Sequence, residues 1–276
     1  VSRILQCFPI HGGDNSGLLR IVELDRRPLP PSPPSAILAF SVDTAVEEHG
    51  PHLPLATDTI QSYSVLDALA KEFDELEICR PLEYGQLTWG LPFGFSIDLT
   101  DELLTQYVSR YVNALVRWKQ PRAIYVVDVH GSIAHRRAIV RGLTESGFSN
   151  WTFRWLHQPL AEFASERGDQ HAGGVETALV ERVSSDLLDA RWWPGRIDQI
   201  VEGQMSFQRA VELAKDLEAF TAEVAERSLN GVIGDVRNYH QLDADEMFQR
   251  MMTVARQDVG QLREGKANQS AGDDLW

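Results

Sequence analysis

The chain has only two cysteines, Cys7 and Cys79, among its 276 residues. Two cannot form a disulfide framework, so the expectation is a reducing compartment, the cytoplasm. No apolar run is long enough to cross a bilayer. The first residues, Val1-Ser2-Arg3-Ile4-Leu5-Gln6-Cys7, lack the long apolar centre of a secretion signal. Basic side chains are in deficit: 26 Lys and Arg against 40 Asp and Glu leave a net charge of -14 and a pI near 5.0. That balance argues against a nucleic-acid backbone or an anionic membrane as the main partner. No internal repeat is present.

What is present suits a globular enzyme-sized chain. Hydrophobic residues make up 43%, enough for a sizeable core. Val1 to Val22 holds a short apolar pattern and a glycine-rich turn, His11 to Gly17. Arg26 to Pro34 is proline-rich and reads as an extended connector. These segments set an N-terminal arm over residues 1–36, a main domain over 37–262 and a polar tail over 263–276.

The main domain alternates strand and helix. Ile37 to Val42 is a strand, and a helix over Asp58 to Phe73 follows, with Ile60, Tyr63, Leu66, Leu69 and Phe73 on one stripe. Leu76 to Leu82 is a second strand. Thr100 caps a helix running to Trp118. Ala123 to Val127 is almost wholly apolar, as in a buried parallel strand. A helix from Arg136 to Leu143, a strand over Thr152 to Leu156, and a helix carrying Ala178, Leu179, Val183 and Leu187 follow. Two long helices, Ser206 to Leu229 and Ala244 to Leu262, close the domain. The fold class is therefore α/β, a mostly parallel sheet with helices on both faces.

Ligands of such sheets bind beyond the carboxyl ends of the strands. Three polar clusters fall there or beside it. Glu47-Glu48-His49-Gly50-Pro51-His52-Leu53-Pro54-Leu55-Ala56-Thr57-Asp58 follows the first strand. Asp128-Val129-His130-Gly131-Ser132 ends the third, and His171-Ala172-Gly173-Gly174-Val175-Glu176 opens a later helix. Taken singly, each residue has a duller role. Asp58 could cap a helix, Glu47 and Glu48 could be solvated charges, and Glu176 could complement a helix dipole. His130 could be a hydrogen-bonding histidine, and His171 an ordinary loop residue. Together they offer a dinuclear site: Glu47, Asp58 and His130 for one metal, His49 and Glu176 for the other, with Asp58 bridging. Two such cations activate water and polarise a carbonyl, so no Ser or Cys nucleophile is required.

The first cluster resembles the leading metal motif of the creatininase (creatinine amidohydrolase) family. Asp128-Val129-His130-Gly131, His171-Ala-Gly-Gly-Val-Glu176-Thr and Asn230-Gly-Val-Ile-Gly-Asp235 resemble later family segments, in the same order. The resemblance spans about Ile37 to Leu262. It implies a three-layer α/β/α sandwich and two divalent metal ions, zinc first, with manganese or iron as alternatives. It further implies a homo-oligomer, commonly a hexamer, and hydrolysis of an amide bond. It makes Glu47, His49, Asp58, His130 and Glu176 the metal ligands, and His171 the catalytic group that moves a proton. Glu48 is expected as a second catalytic or supporting group, with His52 beside it.

The sequence also departs from the family. Where creatininase has His-Tyr-Glu, with that Glu a ligand, this chain has His130-Gly131-Ser132. Trp89, Phe93 and Phe95 stand in a loop that lacks the family's histidine. Trp89 and Ser132 are therefore expected beside the substrate, and creatinine is a poor candidate for it. The expected reaction is attack by metal-activated water on a small molecule's amide, cyclic amide or formamide C–N bond, not a peptide bond. Lactone or short-peptide hydrolysis uses the same chemistry. A non-catalytic binding or assembly protein that kept the fold is the alternative from a different class.

Overall fold

A computed structural model describes residues 36–192, 196–201, 205, 207–213, 216–227 and 230–267. Residues 1–35 of the expected arm and 268–276 of the expected tail lie outside them. In chain order, β1 (Ile37–Ser41) leads to α1 (Thr57–Glu72) and β2 (Leu76–Ile78). A 3-10 turn (Thr88–Phe93) precedes α2 (Asp101–Lys119), β3 (Ala123–Asp128), α3 (Ile133–Glu145) and β4 (Trp151–Trp155). The helices α4 (Ala161–Arg167), α5 (Gly174–Val183), α6 (Ile197–Val201), α7 (Phe207–Leu213), α8 (Leu217–Arg227) and α9 (Ala244–Arg263) complete it.

The four strands are parallel, in the order β2-β1-β3-β4. Both faces of the sheet are covered, which explains why β1 and β3 are apolar up to their last residues, Ser41 and Asp128. Side chains alternate along a strand, so Ile37, Ala39, Tyr125 and Val127 pack on one face against α1, α5 and α9. Leu38, Phe40, Ile124 and Val126 pack on the other against Leu104, Val108 and Val112 of α2 and Ile139 and Leu143 of α3. This is the three-layer α/β/α arrangement. Arg154 and Asp258 tie β4 to α9 by a two-pronged ion pair, at 2.7 and 2.8 Å.

Thr100 caps α2 as expected, accepting from the Leu103 amide at 3.3 Å. Three expectations need correction. The second strand stops at Ile78, and Leu82 rejoins β1 only as an isolated bridge to Val42. Pro81 lies between, and proline has no amide hydrogen for the ladder. The helix expected over Ser206 to Leu229 is two helices, α7 and α8; the Asp216 carboxylate starts the second by accepting from the Ala219 amide at 3.0 Å. Helix α5 ends at Val183, so Leu187 falls in a separate 3-10 turn. Among the described residues, no helix is long and apolar enough to cross a membrane.

Candidate metal centre

All four strands run the same way, so the segments that leave their carboxyl ends gather at one edge. The loop after β1 carries Glu47 and His49 to that edge, and the first turn of α1 carries Asp58. Ala56 occupies the cap position of α1 and makes no side-chain cap bond. Asp58 is thus free of the capping role and turns inward. The loop after β3 brings His130. The segment from His171 to Glu176 arrives from elsewhere in the chain and is held by the late turn. His171 and Ile233 exchange backbone hydrogen bonds at 3.0 and 2.9 Å, and the Asp169 carboxylate accepts from the amides of Asp235 and Val175.

Glu47 and His49 are fully buried, Asp58 is 1% exposed, and His130, His171 and Glu176 are buried as well. Glu47 Oε2 lies 3.1 Å from His130 Nδ1, and Glu47 Oε1 lies 3.7 Å from His171 Nδ1. Asp58 divides its two oxygens: Oδ1 is 3.2 Å from His49 Nε2 and Oδ2 is 3.4 Å from His130 Nδ1. Potential ligand atoms therefore fall into three groups, each within 4.8 Å: Glu47, Asp58 and His130; His49, Asp58 and Glu176; Glu47, His49 and His171. Glu176 is steadied by the Ala172 amide, which donates to its Oε2 at 2.5 Å. Ala172 itself sits in the left-handed region, φ 52°, a strain tolerated where the surrounding contacts over-determine it.

The far nitrogen of each of the three imidazoles meets a backbone carbonyl. His49 Nδ1 faces Glu47 O at 3.2 Å, His130 Nε2 faces Gln86 O at 3.1 Å and His171 Nε2 faces Glu48 O at 2.7 Å. A carbonyl only accepts, so those nitrogens carry hydrogen, and each ring, when neutral, presents its lone pair inward. Burial pushes the Glu47 and Glu176 carboxyls up, Glu176 to about 7. Burial works against a charged His49, yet the Asp58 and Glu47 carboxylates raise it to about 10. His130 is also raised: burial opposes its charge, and Glu47 and Asp58 overcome that. Glu47 Oε1 is buried with no hydrogen-bond partner. Buried carboxylates and inward lone pairs that draw positive charge fit divalent cations, and the oxygen–nitrogen donor set suits zinc, manganese or iron.

The other expected residues are placed differently. Glu48 turns its carboxylate away from the three donor groups, onto the Gly50 amide at 2.5 Å, and belongs to none of them. Its contribution to the site is the backbone carbonyl that holds His171. Any part the Glu48 side chain plays in catalysis lies outside these three groups. His52 is buried and bonds Thr177 Oγ1 at 3.1 Å, tying the first loop to α5. Trp89 is only 6% exposed and sets its ring edge-on to His171 at 4.5 Å, as a buried wall. Ser132 caps α3 and donates to Gln86 Oε1 at 2.6 Å, so it steadies the residue whose carbonyl holds His130. The altered Ser132 position is thus accounted for by local structure.

The cleft beside the cluster, ≈ 90 Å³, is lined by Asp58, His130, Trp155, His157, His171 and Glu176 among others. His157 and Gln86 escaped the sequence reading, as did Thr44. For His157 a signal existed, because it follows β4 directly at the carboxyl edge. Gln86 acts through its backbone, which no residue type announces.

Comparison with known proteins bears on the family and the fold. The family profile described as "Creatininase: Creatinine amidohydrolase" matches residues 36–257. The "Mycofactocin precursor peptide peptidase" of Mycobacterium ulcerans (strain Agy99) is 26% identical over 234 residues, covering 81% of this chain and 84% of that protein. A putative creatinine amidohydrolase from Bacteroides fragilis NCTC 9343 superposes with a TM-score of 0.62 at 15% identity, covering 86% of this chain and 91% of its own. A structure described as "Creatininase Mn" gives 0.58 at 17% identity, with coverage of 81% and 91%. At such identities the two structures support the fold alone.

Proposed function

The chain belongs to the creatininase family, and from that premise we propose a metal-dependent hydrolase that cleaves an amide C–N bond with two divalent cations. The observation that carries the proposal is the division of Asp58, one oxygen to each of two donor groups. Glu47, Asp58 and His130 would hold one cation, and His49, Asp58 and Glu176 the other. When bound, such cations supply Lewis acidity, which activates water and polarises the scissile carbonyl.

The chain's own groups do the remainder. His171 stands neutral, with Nε2–H held by Glu48 O and Nδ1 facing the cluster. It is placed to take a proton at Nδ1 and return it to the leaving nitrogen. The indoles of Trp89 and Trp155, both buried, wall off bulk water. As for the scissile bond, the peptidase name borne by the M. ulcerans relative favours a short peptide over the small non-peptide amide expected from sequence.

The experiment has two arms. Purified protein is stripped, reloaded with Zn²⁺ or Mn²⁺ and weighed for metal by elemental analysis. The loaded protein is then offered short peptides, cyclic amides, formamides and lactones, with products read by mass spectrometry. Metal retained by the wild type and lost in Glu47→Gln and His130→Ala supports the centre. Less than one divalent ion per chain under replete conditions defeats the hydrolase reading and leaves a binding role for the fold. Cleavage confined to non-peptide amides would return the substrate to the class first expected.

A further inference from the structure

Thr44 leaves the end of β1, three residues before Glu47, and is 1% exposed. Its hydroxyl does not bond its own backbone. It contacts Glu47 Oε2 and lies 2.6 Å from Asp58 Oδ2. These are the same two oxygens that face His130 Nδ1, at 3.1 and 3.4 Å. Four polar atoms from three separate segments therefore converge on one point. Among the described residues, Thr44 supplies the hydroxyl bonded to these carboxylates, and every other side-chain partner they have is a histidine.

We propose that Thr44 is a positioning residue of the metal centre, whose hydroxyl sets the Glu47 and Asp58 carboxylates in the register that receives a cation beside His130. The inference rests on the metal reading above and deepens it. A hydroxyl has one proton and so donates to one carboxylate at a time. The other carboxylate oxygen then meets a hydroxyl lone pair, a contact that a cation beside the three oxygens relieves. Thr44 is β-branched and stiff at χ1, which suits a residue that must hold two longer, more flexible carboxylates. Groups that orient metal ligands in this way typically change affinity 10- to 100-fold when removed.

The test titrates Zn²⁺ against a competing chelator into the metal-stripped full chain of wild type, T44V and T44S. T44V keeps the shape of threonine and lacks its hydroxyl; it should bind zinc about 10- to 100-fold more weakly. T44S keeps the hydroxyl and should restore wild-type affinity. The visible bands of the Co²⁺-loaded protein should shift in T44V and not in T44S, while the far-ultraviolet circular dichroism of the metal-free forms stays the same. If T44V does not fold, T44A carries the same expectation. Wild-type zinc affinity in the hydroxyl-less variant overturns the role of Thr44 alone. A wild type that takes up no zinc removes the metal centre itself, and this inference with it.

Discussion

His171 donates its Nε2 hydrogen to the Glu48 backbone carbonyl at 2.7 Å, and that bond decides which edge of the ring looks into the site. Burial first, then the positive charge of His49, hold this imidazole well below its ordinary pKa. Long-range ¹⁵N NMR should therefore show the Nε2–H tautomer and no imidazolium between about pH 6 and 8. An imidazolium signal at the lower end would contradict the assignment of Nδ1 as the inward base.

Metal uptake should release protons. Without a cation, His49 is raised to about 10 and is protonated at neutral pH. A cation at its Nε2 has to displace that proton. Calorimetric zinc titrations in buffers of different ionisation enthalpy should differ by the heat of at least about one proton, and affinity should fall as pH is lowered. Buffer-independent heats would show that the imidazole was already free.

His157 gives a pH effect of known sign. Its Nε2 faces Gln61 Oε1 at 2.8 Å, and burial pushes its pKa down to about 4 from 6.5. The unfolded chain takes up the proton first. The neutral ring's stability is thus fully present above 6.5 and is lost as pH falls toward 4. From about pH 7 to pH 5 the wild type should lose up to about 2 kcal/mol more than His157→Gln, read from urea denaturation. Parallel losses in the two proteins would mean that the ring charges freely in the fold.

Asp258 should be a stability residue without a catalytic one's profile. It is 2% exposed, pairs with Arg154 through both oxygens and accepts from Tyr125 Oη at 3.2 Å. Asp258→Ala leaves the mostly buried guanidinium without its partner, and a loss of about 3–5 kcal/mol is expected in denaturant unfolding. Zinc content of the folded variant should match the wild type. A loss of metal would show that α9 and β4 support the centre more closely than their contacts indicate.

The parts of the fold that were legible in sequence are those in which burial dictates residue type. Strand β3 is apolar because helices cover both its faces, and Thr100 announces the start of α2 because an unsatisfied amide needs an acceptor. The second strand and the helix after Ser206 were misread because their limits depend on single residues. Pro81 interrupts a ladder that the apolar pattern would continue, and Asp216 starts a new helix inside a helical periodicity.

The site divides in the same way. Glu47, His49, Asp58, His130, His171 and Glu176 are of types that chemistry singles out, at the ends of elements whose order places them on one rim. Sequence by itself determined this inventory of metal-ligand residue types and the parallel α/β class. Only the tertiary structure decided their division into groups. It gave each Asp58 oxygen a different imidazole, turned the Glu48 carboxylate away and set Thr44 between two acids. The physical reason is that residue type fixes what a side chain can bind, whereas a rotamer and a backbone carbonyl from a distant segment fix where it points.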